Sequence, residues 1–296
     1  MWVVSMATHI KNMKQIDTLV EDIYALFNSN NTALNETEVD DCINDFAESI
    51  KVHVKDFLKE LPENKPRLRL SLIGKPDRQL WYNFKEPSTE SLAPYTRIKF
   101  LYGYILEEFL IMLASISGHK VSQQQKEVEL EGVTGHQDCF IDDVLVDCKS
   151  ASGRGFNKFK YNTLSDDDPF GYLAQISSYA QANNVDEAGF LAINKSTGEI
   201  CYSKVHSLEM IDAKKRIKHL KKIVANTTPP DKCYDDIPDG QSGNYKLSSG
   251  CVYCAHKHKC WSDSNDGKGL RTFQYATGKR YLTKVKKQPN VEEINV

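Results

Sequence analysis

The sequence predicts a mixed α/β (α+β) fold. Three observations carry it: a long helical apolar pattern over 96–117, short apolar runs either side of Asp142-Asp143, and a helix, two strands and a helix in succession from Asp168 to Ala225. The chain has 296 residues, 40% hydrophobic and 26% charged, which suits a soluble globular protein of one large domain or two small ones.

Residues up to about Lys65 read as helical, with apolar spacing at Ile16, Leu19, Val20, Ile23 and Leu26, then at Ile43, Phe46, Ile50, Val54 and Leu58. Pro62 and Pro66 break the pattern. In the following stretch, Gly74-Lys75-Pro76 signals a turn, and Pro76-Asp77 is read as part of it rather than as a catalytic motif. The helix over Thr96–Ser117 has a broad apolar face from Phe100 to Leu113, carries Glu107 and Glu108 within it, and is closed by Gly118. Strands are expected over 126–141 and 144–151, then a polar linker over 153–167 with Arg154, Lys158 and Lys160. Asp168 is a suitable N-cap and Pro169 a suitable first residue for a helix bearing Tyr172, Gln175 and Tyr179. Gln175 and Tyr179, four apart, share a face. Strands over 188–194 and 199–205 flank a Thr197-Gly198 turn, and a basic helix spans 208–225.

A hairpin turn at Asp142-Asp143 pairs residues whose numbers sum to 285. Asp138 then faces Asp147 and His136 faces Lys149, all on one side, because side chains alternate along strands. Directly opposed Cβ atoms lie about 4.5–5.5 Å apart, where like charges are unfavourable. Two such carboxylates call for a proton or a metal ion between them, and the metal is the better expectation. A hard cation such as Mg²⁺ takes carboxylate and water oxygens, so the arrangement suits phosphodiester hydrolysis with Lys149 orienting water. Two features stand against this. D-x-K is a common triplet on its own, and Asp-Asp is a poorer hairpin turn than Asn-Gly or Asp-Gly.

A net charge of −2 does not mark a nucleic-acid binder, although Lys214–Lys222 and Lys279–Lys287 are locally basic. No apolar stretch approaches the ~18–20 residues of a membrane span. Met1–Val4 is too short and lacks a basic leader, so no signal peptide is expected and the location is expected to be cytoplasmic. Eight cysteines without such a signal argue against a disulfide framework. Cys139 and Cys148, facing away from the carboxylates, are read as packed thiols. Cys233, Cys251, Cys254 and Cys260 form C-x17-C-x2-C-x5-C, the spacing of a four-thiolate centre for zinc or an iron–sulfur cluster. His256 and His258 are alternative zinc ligands, more naturally read as exposed polar residues.

Together these motifs resemble the RecB-like branch of the PD-(D/E)XK nuclease superfamily over roughly Leu68–Trp261. GYILEE resembles its first motif with Glu107 as the acid, where Tyr104 stands in place of the usual histidine. GHQD supplies Asp138, VDCKS supplies Asp147 and Lys149, and QISSY fits Q-x-x-x-Y through Gln175 and Tyr179. The C-x2-C-x5-C-W run resembles the iron–sulfur staple of AddB-type and CRISPR-associated RecB-like exonucleases. The stretch GKPDRQLWY, where those relatives carry the first cysteine, has none, which leaves Cys233 as the replacement.

The resemblance implies a restriction-endonuclease-like core, a central mixed sheet flanked by helices, at 66–225. An N-terminal helical extension (1–65), a metal-bound staple (226–262) and a basic tail (263–296) surround it. It also implies a Mg²⁺- or Mn²⁺-dependent DNA nuclease, an exonuclease before a structure-specific or nicking endonuclease. A noncatalytic nucleic-acid-binding protein is the remaining class. Glu107, Asp138, Asp147 and the Cys148 carbonyl would hold the metal, Lys149 would orient water, and Gln175 and Tyr179 would steady the strand or the lysine. The four cysteines would hold a [4Fe-4S] cluster in preference to Zn²⁺. The arrangement looks like that of phage-encoded RecB-like nucleases, which places the protein in a bacterial host's cytoplasm with DNA, and a recombination or replication protein, as partners.

Overall fold

The structure, a computed structural model, describes residues 14–28, 34–59, 66–87 and 94–294. Met1–Val4 and Pro62 lie outside them.

Two helices open the chain, α1 (Leu19–Ala25) and α2 (Glu36–Leu58), followed by α3 (Asp77–Lys85) and the long α4 (Pro94–Ile116). Five strands then form the central sheet in two stages. The first stage contains β1 (Val121–Ser122), β4 (Cys139–Ile141) and β5 (Val144–Ala151), interrupted by a separate hairpin of β2 (Glu127–Leu130) and β3 (Val133–His136). After α5 (Arg154–Lys160) and α6 (Tyr172–Asn183), β6 (Ala188–Asn194) and β7 (Ile200–Val205) complete the sheet, and α7 (Ala213–Ala225) closes the core. The order is β1-β4-β5-β6-β7, with β5 and β6 parallel and the other pairs antiparallel. It is a mixed sheet flanked by helices, as expected.

Strand alternation splits the interior into two cores. Phe140, Leu145, Phe190 and Ala192 face one side, against Ile176 and Tyr179 of α6 and Ile217 and Leu220 of α7. Cys139, Ile141, Val146, Cys148 and Leu191 face the other, against Leu110, Leu113 and Ala114 of α4 and Leu19 and Ile23 of α1. Cys139 and Cys148 are thus packed thiols in a sealed layer.

The β4–β5 hairpin has the predicted register, Cys139↔Val146, Phe140↔Leu145 and Ile141↔Val144. Both turn residues are left-handed, Asp142 at φ 49° and Asp143 at φ 65°, as a two-residue hairpin turn requires. Asp142 holds that conformation through its carboxylate, which accepts from Lys120 N (3.0 Å) and meets buried His119 at Nδ1 (2.6 Å). The other ring nitrogen of His119 reaches Asp22 on α1 (3.1 Å).

Four local expectations need correction. The strand expected over 126–141 is two strands and a third segment, because Glu131 and Gly132 (φ 50° and 70°) turn the chain into its own hairpin. His136 therefore pairs with Glu127, not Lys149. The linker at 153–167 contains α5, whose Phe156 and Phe159 are buried. Asp168 does not sit directly before its helix, yet its carboxylate still caps it, accepting from Gly171, Tyr172 and Leu173 N–H at 2.8–2.9 Å.

Beyond α7, β8 (Ile237–Pro238), β9 (Tyr245–Lys246), β10 (Arg271–Tyr275), β11 (Gly278–Lys284) and β12 (Glu293–Ile294) build a second sheet around short helices α8 (Ser249–Val252) and α9 (Lys257–Cys260). Residues 271–294, read from sequence as a basic tail, thus supply three of its five strands.

Asp143 lies at the exposed tip, and its ion pair with Lys120 is a surface one. Left-handed backbone costs an L-residue roughly 1–2 kcal/mol, so Asp143→Gly is expected to stabilise the protein by roughly 0.5–1 kcal/mol once the lost pair is discounted. Urea unfolding measures this, and an unchanged or lower midpoint contradicts it.

Candidate active site

Asp147 and Lys149 project from β5 on the α6 side of the sheet, and Asp138 reaches the same face just before β4 begins. Hairpin pairing stops there. Asp138 O accepts from Gln125 N (3.0 Å), while its Oδ2 accepts from Cys148 N (2.7 Å). A side chain has taken a donor on β5 that a backbone partner would otherwise use, and this fixes the Asp138 carboxylate against the strand carrying Asp147.

Asp147 is 2% exposed. Its Oδ1 accepts from Gln175 Nε2 (3.1 Å), and Lys149 Nζ is in ion-pair contact with Oδ2, which has no hydrogen bond of ordinary geometry. The Tyr179 hydroxyl lies beside Gln175, one turn further along the same helix face. The buried Tyr179 ring fits because residue 135 is glycine: a Cβ there would stand 2.8 Å from Leu70 Cβ and 3.0 Å from Tyr179 Cε1.

Glu107, from α4, accepts from Gln125 Nε2 (2.7 Å) and lies within electrostatic reach of Asp138, Lys149 and Asp147. Its neighbour Glu108 is buried, lies 3.6 Å from His53 of α2 and is also within electrostatic reach of Asp138 and Glu107. Tyr104, one turn before Glu107, stacks on His53 (centroids 4.6 Å apart).

The electrostatics follow from burial of like charges. Burial, then Asp147, pushes the Asp138 carboxyl up to about 7. Burial and Asp138 hold Glu107 well above the usual carboxylate range, and burial raises Asp147 against the pull of Lys149. Burial alone would lower the Lys149 ammonium, but Asp147 and Asp138 outweigh it and raise it. Lys149 is therefore a fixed positive charge, not a base. Burial keeps Tyr179 neutral.

Glu107, Asp138, Asp147, Lys149, Gln175 and Tyr179 thus belong to one neighbourhood. Sequence reasoning gave no role to Tyr172, whose ring lies 5.3 Å from Lys149 Nζ, or to Gln125 on Glu107. Tyr172 had a signal, standing three residues before Gln175 on the same helix face. The Gln125 contact is long-range and had none. Pro76-Asp77 is structural: Asp77 opens α3 and its carboxylate binds Arg216 (2.6 Å) and His219 (2.5 Å) of the basic helix α7.

Cys233, Cys251, Cys254 and Cys260 line one cleft, partly open to solvent. Pro76, Arg78, Gln79 and Tyr82 form its other wall, so the cysteine-free stretch GKPDRQLWY packs against the cysteines. Arg78 Nε donates to Cys260 Sγ (3.1 Å), backbone N–H groups of Gln79 and Arg78 reach Cys233, and that of His256 reaches Cys254. Burial raises the thiols of Cys233, Cys251 and Cys254. His256, expected exposed, is buried, stacked on Tyr82 and bonded to Asn83 Oδ1 (2.7 Å). All four cysteines are free thiols, and among the described residues no three His, Cys, Asp or Glu side chains are drawn together closely enough to hold an ion between them.

No protein-family profile matches the chain, and no curated protein sequence matches it. Several solved structures share part of its fold. SSO0001 matches at 14% identity and TM-score 0.41, over 71% of this chain and 92% of that one. The alkaline exonuclease LHK-Exo of Laribacter hongkongensis matches at 13% and 0.35, over 54% and 85%. A phage-related exonuclease of Haemophilus somnus 129PT matches at 18% and 0.34, over 58% and 93%. At these scores the likeness carries no functional argument. No described helix is long and apolar enough to cross a membrane.

The raised Asp138 value has a stability consequence. The folded state favours the protonated carboxyl, so this stabilisation is full below the ordinary value of 3.8 and is lost as pH rises through about 7. Asp138→Asn, which keeps an acceptor for Cys148 N–H, is expected to raise Tm over the wild type by an increment that grows between pH 4 and pH 8 in EDTA. A pH-independent increment contradicts the buried-repulsion account.

Proposed function

We propose that the protein is a divalent-metal-dependent DNA nuclease, and an exonuclease in DNA recombination, repair or turnover. The observation that carries the reading is the buried group Glu107, Asp138 and Asp147 set against the paired ammonium of Lys149. Three buried carboxylates within electrostatic reach of one another offer the oxygen donors that a hard cation, Mg²⁺ or Mn²⁺, prefers, although their side chains do not stand close enough to hold an ion as they are. Glu107, Asp138, Asp147 and the Cys148 carbonyl would hold it. The chemistry such an ion would supply there is polarisation of the phosphoryl oxygen and acidification of the attacking water.

The chain's own residues do the rest. Cys148 N–H fixes the Asp138 carboxylate, and Gln175, steadied by Tyr179, fixes that of Asp147. Lys149 stays protonated, so it donates to water or offsets charge building on the phosphate, and it does not take the proton. The exonuclease preference rests on the motif resemblance. An endonuclease would use the same residues.

The cysteine cleft is proposed to hold a [4Fe-4S] cluster in preference to Zn²⁺. Four thiols on one cleft, several receiving N–H donors, suit a thiolate-bound centre, since such bonds orient and tune sulfur ligands. Its role is to tie the C-terminal sheet to the core through Arg78 and α3.

The wild type with Mg²⁺ or Mn²⁺ is expected to digest linear DNA and leave covalently closed circles intact. Lys149→Ala is expected to lower kcat on the order of 100-fold or more. Cutting of closed circles establishes the endonuclease, and undiminished cleavage by Lys149→Ala removes the catalytic assignment. Anaerobically purified protein is expected to show a visible absorption band and iron, both lost in Cys254→Ser. A colourless, zinc-loaded protein overturns the cluster.

A further inference from the structure

We propose that Phe170, Tyr172 and Lys75 form a nucleotide-binding subsite beside the carboxylates. A base of a single DNA strand stacks on Phe170 and its phosphate meets Lys75; this deepens, and rests on, the nuclease reading.

Phe170 is 56% exposed, an apolar ring held out to water immediately before α6. It is not isolated. Its ring stacks on Tyr172 (5.4 Å, 26°), whose ring lies 5.3 Å from Lys149 Nζ, so two aromatic steps lead from the lysine of the candidate active site to the surface. On the Phe170 ring sits Lys75 Nζ, 5.5 Å from the centroid. Lys75 is half-buried and, among the described residues, forms no ion pair. Asp168 lies within electrostatic reach of Lys75, but its carboxylate is directed to three N–H groups of the α6 cap. A half-buried ammonium next to an exposed aromatic ring offers both halves of a nucleotide site: charge for the phosphate and a π-system for any base.

The platform is preorganised. Asp168 braces the loop from within, and Lys158 ties Asp167 through its backbone O (2.7 Å) and carboxylate (2.6 Å). Gly171, at φ 76°, meets Gly74 so closely that a Cβ built on either would stand 2.4 Å from the other's Cα. The loops bearing Lys75 and Phe170 are thus joined backbone to backbone, which fixes cation and ring relative to each other.

Fluorescein-labelled oligothymidylate, titrated in EDTA so that nothing is cut, tests this by anisotropy, with an abasic strand of equal length as control. Phe170→Ala is expected to weaken oligothymidylate binding on the order of tenfold, the effect of losing one base–aromatic stack, and to leave the abasic strand unaffected. Phe170→Trp is expected to retain affinity, with its added indole emission quenched by the oligonucleotide. Lys75→Gln is expected to weaken both strands alike and to reduce the salt slope by about 1. No binding by the wild type, or equal affinities of folded Phe170→Ala and wild type, overturns the subsite and leaves the ring as a protein contact. The two readings fail separately. Phe170-dependent binding without cleavage in Mg²⁺ or Mn²⁺ removes the nuclease and keeps the subsite; cleavage with Phe170-independent binding does the reverse.

Discussion

The structure turns on the burial of Asp147 on the central strand β5 beside Asp138, which lies just before β4, with a single ammonium to compensate them. Buried like charges repel strongly where water cannot screen them, so every neighbour of the pair is constrained. Lys149 supplies the opposite charge, Cys148 N–H and Gln175 supply hydrogen bonds, and Tyr179 supports Gln175. Each partner comes from a different step of the topology. The strand gives Lys149 by alternation, the crossover between parallel β5 and β6 gives α6, and α4 brings Glu107.

A second constraint joins the core to its C-terminal sheet. Residues 73–82 are gripped by α7, where Arg216 binds Ile73 O, Lys75 O and Asp77. They also touch the α6 loop at Gly74 and wall the cysteine cleft with Arg78 and Tyr82. A stretch that carries no catalytic acid thus connects the carboxylate neighbourhood with the cysteine neighbourhood. Its Pro-Asp pair serves helix initiation and clamping.

The sequence showed most clearly what depends on near neighbours. The β4–β5 register was legible because a two-residue turn leaves few alternatives, although what holds Asp142 left-handed is distant His119 and Lys120. The reading failed at His136 because a second local turn, Glu131-Gly132, competes for that strand. The capping chemistry of Asp168 was legible, but its reach across Gly171 was not. Helix α5 was hidden by its lysines, and β11 by Lys279, Arg280 and Lys284 around one buried pair, Leu282 and Thr283.

By itself the sequence determined the helix and strand periods, the β4–β5 register that puts Asp138 and Asp147 on one side of the sheet, and the close spacing of Cys251, Cys254 and Cys260, because each follows from alternation or spacing within a short span. Only the tertiary structure decided that Gln125 holds Glu107, that Glu108 meets His53, and that Phe170, Tyr172 and Lys75 line up behind Lys149. Those contacts join segments far apart in the chain. Their geometry is set by how the two cores and the Gly74–Gly171 junction pack, and no local pattern encodes it.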